Sequence, residues 1–158
     1  LHLLEYPERK GLAREVQRLF QFSKGHLGFG RFAFTDLVQA QLTEFFEGHR
    51  SKFDLPLALH GTDFSKTVWR ALQDIPAGQT RSYAQLAQSI ARPTAMRAVA
   101  RANGANQIAI VVPCHRVIGA DGTLTGYAGG LWRKQKLIEL ERAYAVSVSS
   151  FKTRQASS

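Results

Sequence analysis

Apolar residues recur at helical spacing in several stretches of this chain, and glycine, proline and polar residues separate the stretches. Two such stretches lie early, over residues 8–22 and 35–47, and each predicts an amphipathic helix. A third begins after Thr62, a residue type that caps helix N-termini well, and runs to the turn at residues 76–78. The short apolar stretch 1–6 is compatible with an edge strand.

A close pair of short helices follows over residues 82–103. Ser82 is a good cap for the first helix, Ala91 and Arg92 form a tight turn, and Pro93 suits the first turn of the second helix. Two helices joined so closely predict a helix-turn-helix, whose second member would be the recognition helix. A helical hairpin without a ligand is the alternative.

The second helix of this pair is rich in alanine and carries Arg97 and Arg101 one turn apart. It offers no Asn, Gln or Glu side chain that could read base edges before Asn103. A slim, cationic helix of this kind favours docking that is independent of base sequence.

The decapeptide 110–119, Ile-Val-Val-Pro-Cys-His-Arg-Val-Ile-Gly, contains the only cysteine of the chain. Its β-branched runs 110–112 and 117–118 predict two buried extended segments on either side of a polar turn. In that turn Cys114 and His115 could serve as nucleophile and base. The alternative is that a lone cysteine is a small core residue.

The last apolar stripe, over residues 131–144, predicts a closing helix with Glu141 along its apolar face. A buried carboxylate needs a partner, and His115 is a candidate. Alternatively, Glu141 faces water beside Lys134 or Arg142. The serine-rich stretch 146–158 predicts a disordered tail.

Composition narrows the class of protein. One cysteine excludes a disulfide framework, which indicates a reducing, cytoplasmic setting. No apolar run could span a membrane, and no signal peptide opens the chain, which starts at Leu1. No Cys/His spacing is that of a zinc site, so neither a metal nor a cofactor is expected.

The net charge of +9 is concentrated around the cysteine motif. The segment 62–144 carries 11 Lys and Arg against 5 Asp and Glu, whereas the segment 1–61 carries 8 against 7. Such an excess attracts polyanions, nucleic acid above all. A solvated basic surface without a ligand is the alternative.

From about residue 61 to residue 144 the chain resembles the C-terminal domain of the O6-alkylguanine-DNA alkyltransferases. The matching motifs, in chain order, are Ser82-Tyr83, Arg92-Pro93, Arg97-Ala98-Val99, Asn106, the Pro113 to Gly119 segment, the Gly126 to Leu131 segment and Lys134. The resemblance implies an α/β fold of the α+β kind. In it, a small N-terminal α/β domain over residues 1–60 precedes a mostly helical domain over residues 61–145, with a winged-helix-like helix-turn-helix and the active-site cysteine.

The resemblance also implies roles for individual residues. Cys114 would accept an alkyl group, His115 and Glu141 would form a relay through water, Asn106 would order the cysteine loop, and Tyr83 would protonate the departing guanine. DNA contact is implied for Arg97 as the finger that replaces the flipped base, and for its neighbours Thr94, Ala95, Ala98 and Arg101, together with Arg116. The substrate pocket would be formed by Val117, Tyr127, Ala128, Gly129, Gly130 and Lys134.

The implied activity is single-turnover transfer from O6-alkylguanine in duplex DNA, with O4-alkylthymine as a second candidate substrate. The protein would dock in the minor groove as a monomer, with cooperative binding along DNA left open. The match is looser before residue 60, where residues 1–22 are similar to longer fusion proteins of the family, so a regulatory domain could precede Leu1. The competing readings are a lesion sensor without transfer and a cysteine hydrolase.

Overall fold

The structure, a computed structural model, describes residues 1–24 and 30–155. The glycine-rich break predicted after the first helix falls mostly on residues 25–29, outside this range. Six α-helices are present in the described part: α1 Leu12–Phe22, α2 Ala33–Phe46, α3 Asp63–Gln73, α4 Tyr83–Ser89, α5 Met96–Gly104 and α6 Leu131–Gln155.

The helices predicted from apolar periodicity are confirmed, with shifted ends. Helix α1 begins at Leu12 rather than at residue 8, because Gly11 before it has a φ of +88°, which an α-helix cannot contain. Helix α3 begins where the sequence predicts, since the Thr62 hydroxyl accepts a hydrogen bond from the Ser65 N–H at 3.1 Å.

The predicted helix-turn-helix is formed by α4 and α5. The Ser82 hydroxyl accepts from the Gln85 N–H, and the Gln85 side chain accepts from the Ser82 N–H, a reciprocal cap at the start of α4. A short 3₁₀ turn, Pro93–Ala95, leads directly into α5. Both helices pack on each other and on α3.

The two apolar runs of the decapeptide have different structures. Val117–Ile118 is a strand, β2, paired in parallel with β1, Arg81–Ser82. The prediction of an extended segment over 110–112 is wrong, although all three residues are buried. They form a compact turn, in which Ile110 has a φ of +69° and the Val112 N–H donates to the Ile108 carbonyl at 2.9 Å.

The whole fold is mixed α/β and mostly helical, as predicted. In the described part of residues 1–60, however, β-pairing is limited to Leu4, which bridges Ile108 in parallel. The edge-strand prediction for residues 1–6 therefore reduces to one residue. Its partner lies in the loop before Cys114, so this contact joins the two predicted domains.

Two clusters of buried residues form the core. The larger is built on α3, α4 and α5 and includes Leu72, Leu86, Val99 and Cys114. The smaller joins α2 to α6 and to the loop before the cysteine, through Phe45, Ala109, Ile110 and Leu137. Packing therefore fixes the early helix α2 against the elements that hold the cysteine.

Helix α6 continues to Gln155, whereas the sequence predicts a disordered tail from residue 146. No proline or glycine interrupts residues 131–155, so nothing local ends the helix earlier. Residues 156–158 lie outside the described part. None of the described helices has the length and apolar character needed to cross a membrane.

Candidate active site

The cysteine lies in a 3₁₀ turn, Cys114–Arg116, directly before β2. Its backbone N–H donates to the Val112 carbonyl at 2.8 Å, so the turn continues from the compact loop before it. Pro113 precedes it with a φ of −83°, which stiffens the approach. All three side chains of the turn are buried.

Asn106 ties this loop together with its side-chain amide. The Nδ2 group donates to the Val112 carbonyl at 2.8 Å and lies 3.1 Å from the sulfur of Cys114. The Oδ1 atom accepts from the Ile108 N–H at 3.1 Å. These contacts explain why residues 110–112 form a turn and not a strand. The buried Asn106 amide bonds backbone groups at both ends of the loop, the Ile108 N–H and the Val112 carbonyl.

Behind the cysteine, His115 and Arg116 both bind Glu141 of α6. The His115 Nε2 atom lies 2.8 Å from Glu141 Oε1, and the His115 side chain is fully buried. The Arg116 guanidinium donates to both carboxylate oxygens, at 2.8 and 3.0 Å, and to the Ile75 carbonyl. Glu141 also accepts from the Gly78 N–H at 3.1 Å.

The protonation of this group follows from its contacts. Burial alone would raise the pKa of Glu141, but the hydrogen bonds from His115 and Arg116 and their charges lower that pKa to about 2. Burial lowers the pKa of His115, against the opposing influence of Glu141. The carboxylate is therefore ionised and balanced by Arg116, while the imidazole is neutral.

A neutral imidazole that donates from Nε2 to Glu141 keeps Nδ1 as an acceptor. Within residues 1–24 and 30–155, Nδ1 is buried and has no hydrogen-bond partner. Burial also raises the pKa of the Cys114 thiol, against the effects of the Asn106 hydrogen bond and the charges of Lys134 and Arg9. The thiol therefore needs a base in order to become a thiolate. His115 is the next residue in the chain, and its Nδ1 atom is available to accept a proton.

A narrow cavity of about 10 Å³ lies beside Cys114. Of the predicted pocket residues, Tyr127, Ala128 and Gly129 line it, together with the catalytic candidate Asn106. Val117, Gly130 and Lys134 are not among its lining residues. Sequence analysis did not assign six of the lining residues to the site: Glu5, Tyr6, Asn103, Gly104, Ala109 and Gly126. A buried polar residue beside the cysteine loop could have drawn attention to Asn103, but no local pattern indicates Glu5 or Tyr6.

Two predicted assignments need correction. Lys134 is fully buried outside the cavity, and its ammonium donates to the carbonyls of Val117 and Thr125, both at 2.5 Å. Burial lowers its pKa to about 8. Arg116, predicted to bind DNA, is 5% exposed and bound to Glu141, so its charge is already balanced inside the protein.

The other predicted DNA contacts lie on the surface of the helix-turn-helix. Thr94, Arg97, Ala98 and Arg101 are exposed, while Ala95 is half-buried. The opposite face of α5 packs inward through Val99 and Ala102, so α5 presents its arginines and an alanine to solvent.

Tyr83 stands at the start of α4, on the same side as the pocket loop. It is half-buried, and its hydroxyl donates to the Thr125 carbonyl at 3.4 Å. A side chain on Gly126 would come within 3.3 Å of this hydroxyl, so the tyrosine lies directly against the loop that leads to Tyr127.

A buried cysteine, followed in the chain by a histidine that binds a buried carboxylate, packs with a helix-turn-helix that exposes arginines. These features define a thiol-based protein of the DNA-binding class. Comparison with known proteins identifies the family. Residues 63–143 match the family model described as 6-O-methylguanine DNA methyltransferase, DNA binding domain. This chain belongs to that family, and its expected partner, DNA, is the ligand of the matched domain.

Relatives and solved structures agree with this assignment. The chain is 58% identical over 113 residues to a methylated-DNA--protein-cysteine methyltransferase of Mycolicibacterium paratuberculosis, covering 72% of this chain and 68% of the relative. It is 50% identical over 132 residues to the protein of the same name from Mycobacterium bovis, covering 84% and 79%. The crystal structure of Mycobacterium tuberculosis OGT in complex with DNA matches with a TM-score of 0.78 and 46% identity, over 91% of this chain and 81% of that one.

Proposed function

We propose that this protein repairs DNA by direct reversal, as a single-turnover methylated-DNA--protein-cysteine methyltransferase whose acceptor is Cys114. The observation that carries the proposal is Cys114 itself, buried beside a cavity and backed by a neutral histidine with a free acceptor nitrogen. Its relatives carry the same activity in their names.

The transfer is a displacement at a saturated carbon. The Cys114 proton passes to His115 Nδ1, directly or through a water, and Glu141 with Arg116 stabilises the resulting charged imidazole. The sulfur then bonds to the alkyl carbon as the bond from that carbon to O6 breaks. The electron pair goes to guanine, which takes a proton from Tyr83. A thioether remains, and because water does not readily cleave it, each molecule acts once.

The substrate atom lies inside a duplex, so the nucleotide must leave the base stack. In this proposal α5 enters the minor groove, where its small side chains allow close approach, and Arg97 takes the place of the flipped base. The Arg97 guanidinium suits that position because it is planar and always charged. It can stack on a base and hydrogen-bond phosphates at the same time. Thr94, Ala95, Ala98 and Arg101 contact the backbone nearby.

The flipped base and its alkyl group enter at this cavity, which widens to accept them. Tyr127, Ala128 and Gly129 form its wall, and Asn106 keeps the sulfur in place. Lys134, Val117 and Gly130 support the wall from behind in this scheme, since the Lys134 ammonium bonds the carbonyls of Val117 and Thr125. O6-methylguanine is the leading substrate, and O4-methylthymine is a second one.

Intact mass measurement tests this function. Incubation with duplex DNA containing O6-methylguanine should add one methyl group to each protein molecule, and peptide mapping should place it on Cys114. Cys114→Ser should bind the same DNA without any gain in mass. Binding of lesion DNA by the wild type without a mass gain would instead indicate a lesion sensor, and repeated ester or amide turnover would indicate a hydrolase.

A further inference from the structure

A short N-terminal segment, residues 4–9, crosses the cavity and bonds to both of its sides. On one side, Leu4 pairs with the loop before the cysteine: its N–H donates to the Gln107 carbonyl at 2.9 Å, and its carbonyl accepts from the Ala109 N–H at 2.7 Å. Farther along, the Arg9 guanidinium donates to the Asn106 carbonyl at 2.5 Å. The segment is therefore fixed to the loop that carries Asn106.

On the other side of the cavity, Tyr6 meets the glycine-rich loop. Its hydroxyl lies 3.1 Å from the hydroxyl of Tyr127. The two rings are arranged edge to face, with their centroids 6.0 Å apart. A Cβ atom on Gly129 would overlap the Tyr6 ring, so the glycine backbone lies directly against that ring. Tyr6 thus backs two of the residues that line the cavity, and it lines the cavity itself.

Arg133 of α6 holds Tyr6 in this position. Its guanidinium carbon lies 4.6 Å from the centroid of the Tyr6 ring, within the range of a cation–π contact. The same guanidinium donates to the Gly129 carbonyl at 3.0 Å and to the Glu8 carboxylate at 3.1 Å. The Tyr6 ring therefore lies between the Arg133 guanidinium and the glycine-rich loop, and its hydroxyl contacts the Tyr127 hydroxyl.

The cavity beside Cys114 is small for its purpose. At about 10 Å³ it falls far below the roughly 300–1,000 Å³ of common ligand pockets. The volume that remains for an alkyl group therefore depends on how far each wall can retreat. Outward movement of Tyr127 and Gly129 requires that Tyr6, which packs against both, move as well.

We propose that Tyr6 is a specificity-determining residue, which limits the size of the alkyl group that can reach Cys114. The proposal rests on the proposed function for its biological meaning, because it concerns the adducts that the same site accepts. The limit on access to the sulfur is a property of the cavity and holds for any electrophile that must enter it.

A first experiment measures access to the sulfur without DNA. Methyl methanethiosulfonate and benzyl methanethiosulfonate transfer an S-methyl or S-benzyl group to a thiolate and release methanesulfinate, so they differ in size and not in chemistry. The ratio of the benzyl rate to the methyl rate at Cys114 is measured for the wild type, Tyr6→Phe, Tyr6→Leu and Tyr6→Ala. Tyr144→Ala is the matched control, because it removes a half-buried tyrosine whose hydroxyl binds the distant Phe46 carbonyl.

The ratio should rise about tenfold or more in Tyr6→Ala, since even one methylene in an apolar pocket changes discrimination by about that factor. Tyr6→Leu should give an intermediate ratio, while Tyr6→Phe, which keeps the ring, and the Tyr144→Ala control should stay near the wild type. An equal change of both rates in Tyr6→Ala, which a purely structural role would cause, would overturn the proposal. So would a shift in Tyr6→Phe as large as in Tyr6→Ala.

A second experiment uses duplex DNA that contains either O6-methylguanine or O6-benzylguanine, with intact mass as the readout. The proposal expects the same order of variants in the benzyl-to-methyl ratio of transfer rates. Failure of the wild type to accept a methyl group would refute the proposed function, while the thiosulfonate ratios would still decide the role of Tyr6. Unchanged thiosulfonate ratios would reject the size limit even if methyl transfer is normal.

Discussion

Glu141 keeps its negative charge in the interior because three residues from two other parts of the chain donate hydrogen bonds to it. His115 and Arg116 come from the cysteine turn, and the Gly78 N–H comes from the loop after α3. The sequence placed Glu141 on an apolar stripe and offered His115 as its partner. It did not indicate Arg116 as a partner of Glu141, because the family resemblance assigned Arg116 to DNA contact.

Replacement of Arg116 by alanine should lower the free energy of unfolding by about 3–5 kcal/mol, because it leaves the buried Glu141 carboxylate without its cation. Urea denaturation measures the loss. Arg101→Ala, which removes an exposed arginine, should change stability by less than about 0.5 kcal/mol. Equal stability of Arg116→Ala and wild type would contradict the assignment of Arg116 to the interior.

Stability should also fall in acid. The pKa of Glu141 drops from 4.5 to about 2 on folding, so between these values the unfolded chain binds a proton that the folded chain does not. The contribution of Glu141 is present above pH 4.5 and is lost as the pH falls toward 2. Denaturation at a series of pH values measures this loss.

The double variant Arg116→Met with Glu141→Gln is the comparison for that pH series. It removes both buried charges together, so its stability should vary less over the same pH range than that of the wild type. His115 also makes both proteins less stable in acid. Burial lowers its pKa below the usual 6.5, so the unfolded chain binds a proton at a higher pH than the folded chain does. Parallel curves for the two proteins would mean that Glu141 contributes nothing to the acid sensitivity.

At the scale of elements, the turn of the helix-turn-helix sets the angle between α4 and α5. The Arg92 N–H donates to the Ala87 carbonyl and the Ala91 N–H to the Gln88 carbonyl, both at 2.9 Å, which is the pattern of a Schellman helix end. Ala91 stands at the position where glycine is preferred, with a φ of +55°. The Cβ atom of an L-residue destabilises this conformation, so the C-terminus of α4 is strained.

Ala91→Gly should raise the free energy of unfolding by up to about 1 kcal/mol, since glycine adopts the left-handed conformation without the clash of a Cβ atom. Thermal or urea denaturation measures the gain. Ala98→Gly, within the regular part of α5, is the opposite control and should cost about 1 kcal/mol. A loss of stability in Ala91→Gly would show that the turn does not have this geometry.

The exposed face of α5 carries the proposed flipping residue. Arg97→Ala should slow transfer from duplex DNA about tenfold or more relative to transfer from free O6-methylguanine, because unstacking one step costs a few kcal/mol. Rates on the two substrates, measured by mass, give the ratio. Arg101→Ala should reduce DNA affinity without this change in preference, and equal losses of Arg97→Ala on both substrates would count against a finger role.

At the scale of the whole molecule, burial and ion pairing determine which of the basic residues in the sequence can attract DNA. Of the basic residues in the segment 62–144, Arg116 and Lys134 are buried and Arg133 binds Glu8. The exposed cations Arg97 and Arg101 remain on the helix-turn-helix. The electrostatic attraction for DNA therefore belongs to a part of the surface and not to the net charge of +9 as such.

Affinity for duplex DNA should fall linearly with salt on a logarithmic scale, with a loss of about 0.9 in slope for each phosphate contact removed. Titrations at several salt concentrations should give a shallower slope for Arg101→Ala than for the wild type. The Arg116→Met with Glu141→Gln pair should keep the wild-type slope, because those charges are internal. A flat response of the wild type would contradict docking by phosphate contacts.

The sequence was sufficient for features that depend on neighbours along the chain. Apolar spacing located the helices, Ser82 and Thr62 marked two of their starts, and the motif from Pro113 to Gly119 led to the family. It was insufficient for residues 110–112, because their β-branched side chains favour a strand in isolation. In the folded chain the buried amide of Asn106 bonds the Ile108 N–H and the Val112 carbonyl, which holds the segment between them in a turn.

What the sequence alone determined is the helical framework, the single thiol with histidine beside it, and the family to which both belong, since these depend on local spacing and residue type. Only the tertiary structure decided that Arg116 neutralises Glu141 in the interior and that Tyr6 lines the cavity beside Cys114. Both depend on contacts between residues far apart in the chain, where burial and shape, which no local pattern encodes, determine which charges are balanced and how much space remains.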